Sequence, residues 1–483
     1  MKAAVPLILL SLSYLLACSS DGQPVVWTMK TDGRVVSHPV TDADVVFFGN
    51  SSGSFYAVGA QDGRERWSYR AAHPVRGAAL VAGASVFFVS GNDVHALDAH
   101  TGGELWTYRS PEPRGAEKID PWDYHAGSLV MDDATLYAGL GSGYVLGFDT
   151  RSGTITTRIA TVDTAPVRSG LLIDDGVLFF GDWDGRVYAH DLRTGGMKWT
   201  TRTFDERPYE SFGGLTAGFT VDGDLLYFGA RNPELRALDK NTGDVRWRYV
   251  EETGGWISGD PVVENGILYI GGSDNHTLFA FDAQTGDTLW TFSFTFNNFA
   301  RPLIHGDVLF LTTGDAYAFY GDGIGRGFLY ALNSNDGSLK HVQMIRGNSF
   351  TTPAMSGGLL FVGSADSSLY AFDTARLTQD SFDPAAIGYD AIRIATIEPP
   401  SFDTATSVTY SVAFPAHVYV RITTLADSTV RTLVVGEATA GDHTTVWDGR
   451  DDGGTPVDDG TYFVKVGSQD YYRTAFIQKK SSN

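Results

Sequence analysis

The sequence predicts an all-β chain: an eight-bladed β-propeller closed by its own N-terminal strand, followed by a β-sandwich. Three observations carry that expectation. The stretch Ala96-Leu-Asp-Ala-His-Thr-Gly-Gly-Glu-Leu-Trp106 recurs in one frame, at Ala57/Gly63/Trp67, Ala189/Gly195/Trp199, Ala237/Gly243/Trp247 and Ala280/Gly286/Trp290. Gly147/Gly153/Thr157 and Ala331/Gly337/His341 keep the frame without the Trp. A lone Trp-type strand, Val25–Lys30, opens the chain, and a unit lacking that strand, Phe350 to Asp373, ends the repeats. After Arg376 the repeat stops and a different strand spacing begins.

Each repeat reads as a β-hairpin. Phe55-Tyr-Ala-Val and Arg66-Trp-Ser-Tyr alternate like half-buried strands around Gln61-Asp-Gly, where Asp can bond turn amides and Gly supplies φ > 0. Another strand pair precedes each hairpin, as in Pro166 to Gly181, so a unit is a four-stranded sheet of propeller-blade size. Strand counting places blades at 35–70, 74–109, 126–159, 165–202, 212–250, 258–293, 300–344 and 350–373. The last has only three strands, and Val25–Lys30 supplies the fourth, closing the ring without an exposed edge. Trp27, Trp67, Trp106, Trp199, Trp247 and Trp290 then sit on outer strands as packing residues between blades.

The 483 residues carry a net charge of −21, with 56 Gly and no basic run. That excludes nucleic acid and anionic membrane surfaces as charge-matched partners. Cys18 is the sole cysteine, so no intrachain disulfide forms. Lys2, the apolar run Val5 to Leu16 and the tetrapeptide Leu15-Leu16-Ala17-Cys18 form a signal segment too short to span a bilayer. The tetrapeptide resembles a bacterial lipobox, which implies a signal peptide at 1–17 and lipidation of Cys18; an ordinary signal peptide with a chance cysteine is the alternative. Ser19 and Ser20 follow with no Asp beside the Cys, and the resemblance to lipoprotein sorting then implies the outer membrane.

The propeller is expected over 18–376, a linker over 377–389 and the sandwich over 390–483. The motif Ala440-Gly-Asp-His-Thr-Thr-Val-Trp447-Asp-Gly-Arg-Asp-Asp-Gly-Gly454, followed by Val457-Asp-Asp-Gly460, resembles the FlgD-type Ig-like domain. Asp448, Asp451, Asp452, Asp458 and Asp459 lack the spacing of a calcium loop, and no metal site is expected. Over residues 25–376 the Tyr-Ala-Leu-Asp-x-x-Thr-Gly-x-x-x-Trp pattern resembles the PQQ-type eight-bladed propeller superfamily. That superfamily holds quinoprotein dehydrogenases and non-catalytic envelope lipoproteins of the BamB type. The resemblance implies a non-catalytic binding or assembly scaffold meeting envelope or extracellular proteins, monomeric by itself and without a cofactor. A PQQ-dependent dehydrogenase with PQQ and Ca²⁺ is the alternative. Against it, the chain lacks the adjacent Cys pair and any stretch matching that class's calcium-site motif. No catalytic residue is assigned: Gly49-Asn-Ser-Ser-Gly53 lies in a strand-to-strand turn, not a strand-to-helix elbow.

Function is expected on one propeller face. Turns such as Asp132-Asp133, Asp174-Asp175-Gly and Asp222-Gly-Asp are short and uniform. The opposite face carries irregular loops at Ser110–Tyr124, Phe204–Phe212, Glu251–Ile257 and Thr313–Gly327. His38, Arg76, His125, Arg168 and Arg301, just before innermost strands, would ring the channel mouth there, and Trp256 lies in one loop. The arginines would form a positive funnel, or each would pair with a loop carboxylate such as Asp163 or Glu210. Strand direction puts the chain after Arg376 on the short-turn side, and the sandwich is expected to hang there.

Overall fold

The computed structural model describes residues 24–112, 127–203, 214–251, 255–316, 325–379, 392–412, 416–425, 428–468 and 471–481. Within them, eight four-stranded antiparallel sheets form the propeller. Blade 1 is Val40–Asp42, Val45–Gly49, Ser54–Gly59 and Glu65–Arg70; blade 2 is Leu80–Ala82, Ser85–Ser90, Asp93–Asp98 and Glu104–Tyr108. Blade 3 is Ser128–Asp132, Thr135–Leu140, Tyr144–Asp149 and Ile155–Ala160; blade 4 is Leu172–Asp174, Val177–Gly181, Arg186–Asp191 and Gly196–Arg202. Blade 5 is Thr220–Asp222, Leu225–Gly229, Glu234–Asp239 and Val245–Val250; blade 6 is Val262–Glu264, Ile267–Gly271, Thr277–Asp282 and Thr288–Ser293. Blade 7 is Leu303–His305, Val308–Gly314, Arg326–Asn333 and Leu339–Arg346. Blade 8 is Ala354–Ser356, Leu359–Ser364 and Ser368–Asp373, completed by Val25–Lys30.

Burial follows position in the blade. The second and third strands are buried on both faces because sheets lie on either side of them, as in Ser54–Gly59. Outer strands such as Thr288–Ser293 half-bury alternate residues, Trp290 and Phe292, and expose the rest. Each Trp faces the small residue across its hairpin, as Trp67 faces Ala57. The indole then lies over the turn glycine of the next blade. A Cβ on Gly63, Gly102, Gly153, Gly243, Gly286 or Gly337 would fall 2.5–2.7 Å from the ring of Trp27, Trp67, Trp106, Trp199, Trp247 or Trp290. Indole N–H groups donate across the same junctions: Trp67 to Ala99 O at 3.0 Å, Trp106 to Thr150 O at 2.8 Å and Trp199 to Lys240 O at 3.0 Å.

Blade 8 closes the ring. Trp27 stands opposite Ala371 and Lys30 opposite Ser368 in antiparallel register. The Trp27 indole donates to Ala60 O in blade 1 at 3.0 Å. Beyond the strand, Asp32 accepts from Asn50, Ser54, Tyr56 and Arg70 of blade 1. Burial pushes the Asp32 carboxyl up, but these hydrogen bonds outweigh it and bring the pKa down to about 2.

The C-terminal region is an Ig-like sandwich of two sheets. Ile392–Glu398, Thr406–Val412 and Gly441–Trp447 face Ser401–Phe402, Tyr471–Lys479, Gly460–Ser468, Ala416–Thr423 and Thr429–Ala438. Trp447 is fully buried between them against Phe402 and Tyr462, and its indole donates to Arg450 O at 2.8 Å. The acidic turns hold backbone: Asp451 accepts from Thr455 N and Asp452 from Thr432 N. Among the described residues no group of three or more His, Cys, Asp or Glu could hold a metal ion.

The position of the sandwich corrects the expectation drawn from strand direction. The chain does leave blade 8 on the short-turn side, where Asp373 caps a short helix, Thr374–Leu377. The sandwich, however, packs on the opposite, irregular face. The Tyr472 ring meets Phe296 edge-on at 5.4 Å, and Arg473 Nη1 donates to Thr295 Oγ1 at 2.7 Å. Thr295 and Phe296 belong to the connection between blades 6 and 7. Exit direction fixes only where the chain leaves; burial of Phe296 and Arg473 fixes where the domain rests.

Candidate functional site

The channel mouth on the irregular face is stitched by residues flanking the innermost strands. Arg301 N donates to Thr352 Oγ1 at 3.0 Å, and Thr352 N to His38 Nδ1 at 2.8 Å. His38 therefore accepts at Nδ1 and bridges blades 8 and 1. Farther round, Gly218 N donates to Asp260 Oδ1 at 2.6 Å and Leu171 N to Ser128 Oγ at 2.9 Å. Behind them, Ser37, Ser169 and Thr351 hydroxyls accept from Gly49 N, Gly181 N and Gly363 N, pinning each connection to its own blade.

Arg76, Arg168 and Arg301 enter blades 2, 4 and 7, so they are spread around the ring rather than clustered. Arg76 and Arg301 are half-buried, whereas Arg168 is withdrawn into the interior at 2% exposure. His125 and Glu210 lie outside the described residues, as do Cys18 and much of the four irregular loops.

Trp256 is drawn into a group that sequence reasoning missed. The Arg231 guanidinium, itself buried, stands 4.6 Å from the Trp183 ring and 5.0 Å from the Trp256 ring. The three residues come from the turn after the second strand of blade 4, the same turn of blade 5, and the entry to blade 6. Backbone bonds fix each: Trp183 N to Pro166 O at 2.8 Å, Arg231 N to Gly214 O at 3.2 Å, and Ser273 N to Trp256 O at 2.8 Å. The sequence signal is an arginine at the turn position held by Ser51 in blade 1 and Trp183 in blade 4. The Arg231 cation is thus buried between two half-exposed indoles, one on a hairpin turn and one on the connection into blade 6.

Titratable groups nearby serve the scaffold. Burial pushes the Asp182 carboxyl up although Tyr188 donates to it at 2.6 Å, and the Tyr188 hydroxyl in turn accepts from Val162 N. Around the channel the described residues supply hydroxyls, arginines, His38 and the Asp260 carboxylate, whose Oδ1 accepts from Gly218 N.

A family model described as outer membrane protein assembly factor BamB matches residues 13–201 and 184–324. The chain belongs to this BamB-like propeller family. A FlgD Ig-like domain model matches residues 396–470. Among curated proteins none matches the chain. Among solved structures, the computationally designed Ika8 protein aligns with TM-score 0.57 and 14% identity, over 73% of this chain and 100% of its own. The quinohemoprotein alcohol dehydrogenase ADHIIG from Pseudomonas putida HK5 aligns with TM-score 0.56 and 13% identity, over 74% and 77%. BamB from Moraxella catarrhalis aligns with TM-score 0.47 and 16% identity, over 72% and 88%. At these identities the first two likenesses establish the fold alone.

Proposed function

We propose that this protein is a non-catalytic binding scaffold of the bacterial cell envelope, acting in outer-membrane protein assembly as a lipoprotein anchored through Cys18. The observation that carries the binding role is the Trp183–Arg231–Trp256 group on the irregular face. Membership of the BamB-like family supports the setting. Anchoring through several acyl chains at one cysteine would hold the protein stably at the membrane. In this reading residues 1–17 are removed, the propeller is the partner-binding domain, and the half-buried Arg76 and Arg301 add positive charge to its rim.

The test is affinity capture from detergent-solubilised envelopes with the full-length protein. Trp256→Ala is expected to weaken capture of the envelope partner by about 30-fold, the loss typical of a central aromatic anchor. Charge reversal at Arg76 and Arg301 weakens it further, while Asp132→Lys, Asp174→Lys and Asp222→Lys on the short-turn face leave it intact. Equal capture by all variants would place the binding surface elsewhere. Cys18→Ser is expected to give a folded protein that leaves the membrane fraction. Stoichiometric binding of added PQQ with calcium, or dye reduction dependent on them, would overturn the scaffold reading in favour of a dehydrogenase.

A further inference from the structure

Six blade junctions contain an indole laid over the turn glycine of the next blade. The junction between blades 3 and 4 does not, because Thr157 occupies the Trp position opposite Gly147. The facing glycine, Gly195, has φ +71°, like its counterparts. A Cβ built there would meet nothing within 4 Å, whereas at the six filled junctions it would strike a ring. The acceptor position is kept as well. Trp27, Trp67, Trp106, Trp199 and Trp247 donate to carbonyls of Ala60, Ala99, Thr150, Lys240 and Ala283, each three residues before its glycine. Leu192 holds that place before Gly195.

A second observation points into the same space. The residue after the small Ala or Gly on each third strand packs on the indole of the preceding blade: Phe148 lies 5.8 Å from Trp106 and Phe281 6.3 Å from Trp247. In blade 4 that residue is His190, opposite Met197 as Phe148 is opposite Ile155. His190 is 7% exposed, and its Nδ1 has no hydrogen-bond partner among the described residues. A buried polar atom left unsatisfied is costly, and a ring N–H arriving in the slot would satisfy it or the Leu192 carbonyl.

We propose that the junction between blades 3 and 4 is a binding slot for a tryptophan side chain from a partner polypeptide. The slot has the floor, flanking aromatic and acceptor that the chain's own indoles use elsewhere, Tyr137 taking the place that Phe87 holds beside Trp106. At every filled junction the indole arrives on an extended strand. Here Ile155–Ala160 is the last strand of its sheet, with Ile155, Thr156 and Arg158 exposed, so an extended partner segment can lie along that edge and lower its indole past Thr157. This site lies between the outer strands of two blades, away from the Trp183–Arg231–Trp256 group, and does not depend on the role proposed for that group.

Ligand-observed saturation-transfer NMR on the full chain tests it with two probes: N-acetyl-L-tryptophanamide, and an acetylated peptide amide of the chain's own Gly196–Arg202 sequence, which carries Trp199. The tryptophanamide should bind the native protein with Kd on the order of 0.1–1 mM, and the peptide at least threefold more tightly. Thr157→Trp restores the repeat residue and fills the slot from within; it should abolish both signals and raise Tm. Gly195→Asn tolerates the left-handed backbone and places a side chain in the slot, so it should abolish both signals even if Thr157→Trp folds poorly. Absence of transfer to the native protein, or equal transfer in Gly195→Asn, would overturn the slot. Equal affinity for amide and peptide would overturn the polypeptide occupant.

Discussion

Replacing Trp27 by alanine lowers the stability of the propeller by about 3–5 kcal/mol, the usual cost of truncating a well-packed indole. Trp27 packs with Val46, Phe48, Tyr56, Val58 and Phe361, so it touches both blades at the junction. In every other blade a hairpin ties the outer strand to the third strand, but in blade 8 Val25–Lys30 is held to Ser368–Asp373 only by strand pairing and side-chain contacts such as Lys30 Nζ to Ser368 Oγ. Trp199→Ala removes a comparable indole from a hairpin-tied outer strand and is the control. Urea unfolding should show a lower midpoint for both variants and a broader, less cooperative transition only for Trp27→Ala. A protein lacking residues 19–30 with unchanged thermal stability would disprove closure by this strand.

Acidification should loosen the sandwich from the propeller. His276 sits in the blade 6 turn beneath the sandwich, 5% exposed. Burial, then the charges of Arg473 and Lys465, lower its pKa from 6.5 to about 3. The docked state therefore holds it neutral, while an undocked His276 regains solvent and takes a proton near its ordinary pKa. Docking is at full strength above pH 6.5 and weakens as pH falls towards 3, by up to roughly tenfold per unit. Equilibration at pH 7.5 or 5.5, followed by a hydrogen-exchange pulse at one fixed pH, should show greater labelling of Thr295–Phe299 after the acidic equilibration. His276→Asn suits the φ of +49° at this position and should remove the difference. Arg473→Ala, which removes the bond to Thr295 Oγ1 and the side chain buried with it, should give the open labelling pattern at both pH values. Identical labelling of the native protein at both pH values would show that docking does not control the His276 proton.

The repeat frame made the propeller legible because each of its letters has a separate physical duty. Asp98 accepts turn amides, Gly102 turns left-handed under the Trp67 ring, and Trp106 spans to blade 3. The lone Val25–Lys30 strand was legible for the same reason, since a Trp-type strand without a hairpin must find one. The Arg231 group was not legible, because its three residues lie far apart in sequence and meet only when three blades stand side by side. The resting place of the sandwich was not legible either. Strand direction is a local property, but a linker of a dozen residues reaches roughly 40 Å, enough to pass from one face to the other. Tyr472 and Arg473 belong to no repeat that would have marked them.

The closing seam also sets a timetable. Lys30 Nζ bonds Ser368 Oγ across a sequence separation of 338 residues. At a synthesis rate of about 5–20 residues per second, the partner strand emerges roughly 20–70 s after the first. Through that interval seven blades can collapse locally, each within its own hairpins, and blade 1 can take up one side of the Trp27 indole, while the edge of the first-made strand stays unpaired. The opening strand is therefore the segment most exposed to mispairing with another copy's unfinished blade 8.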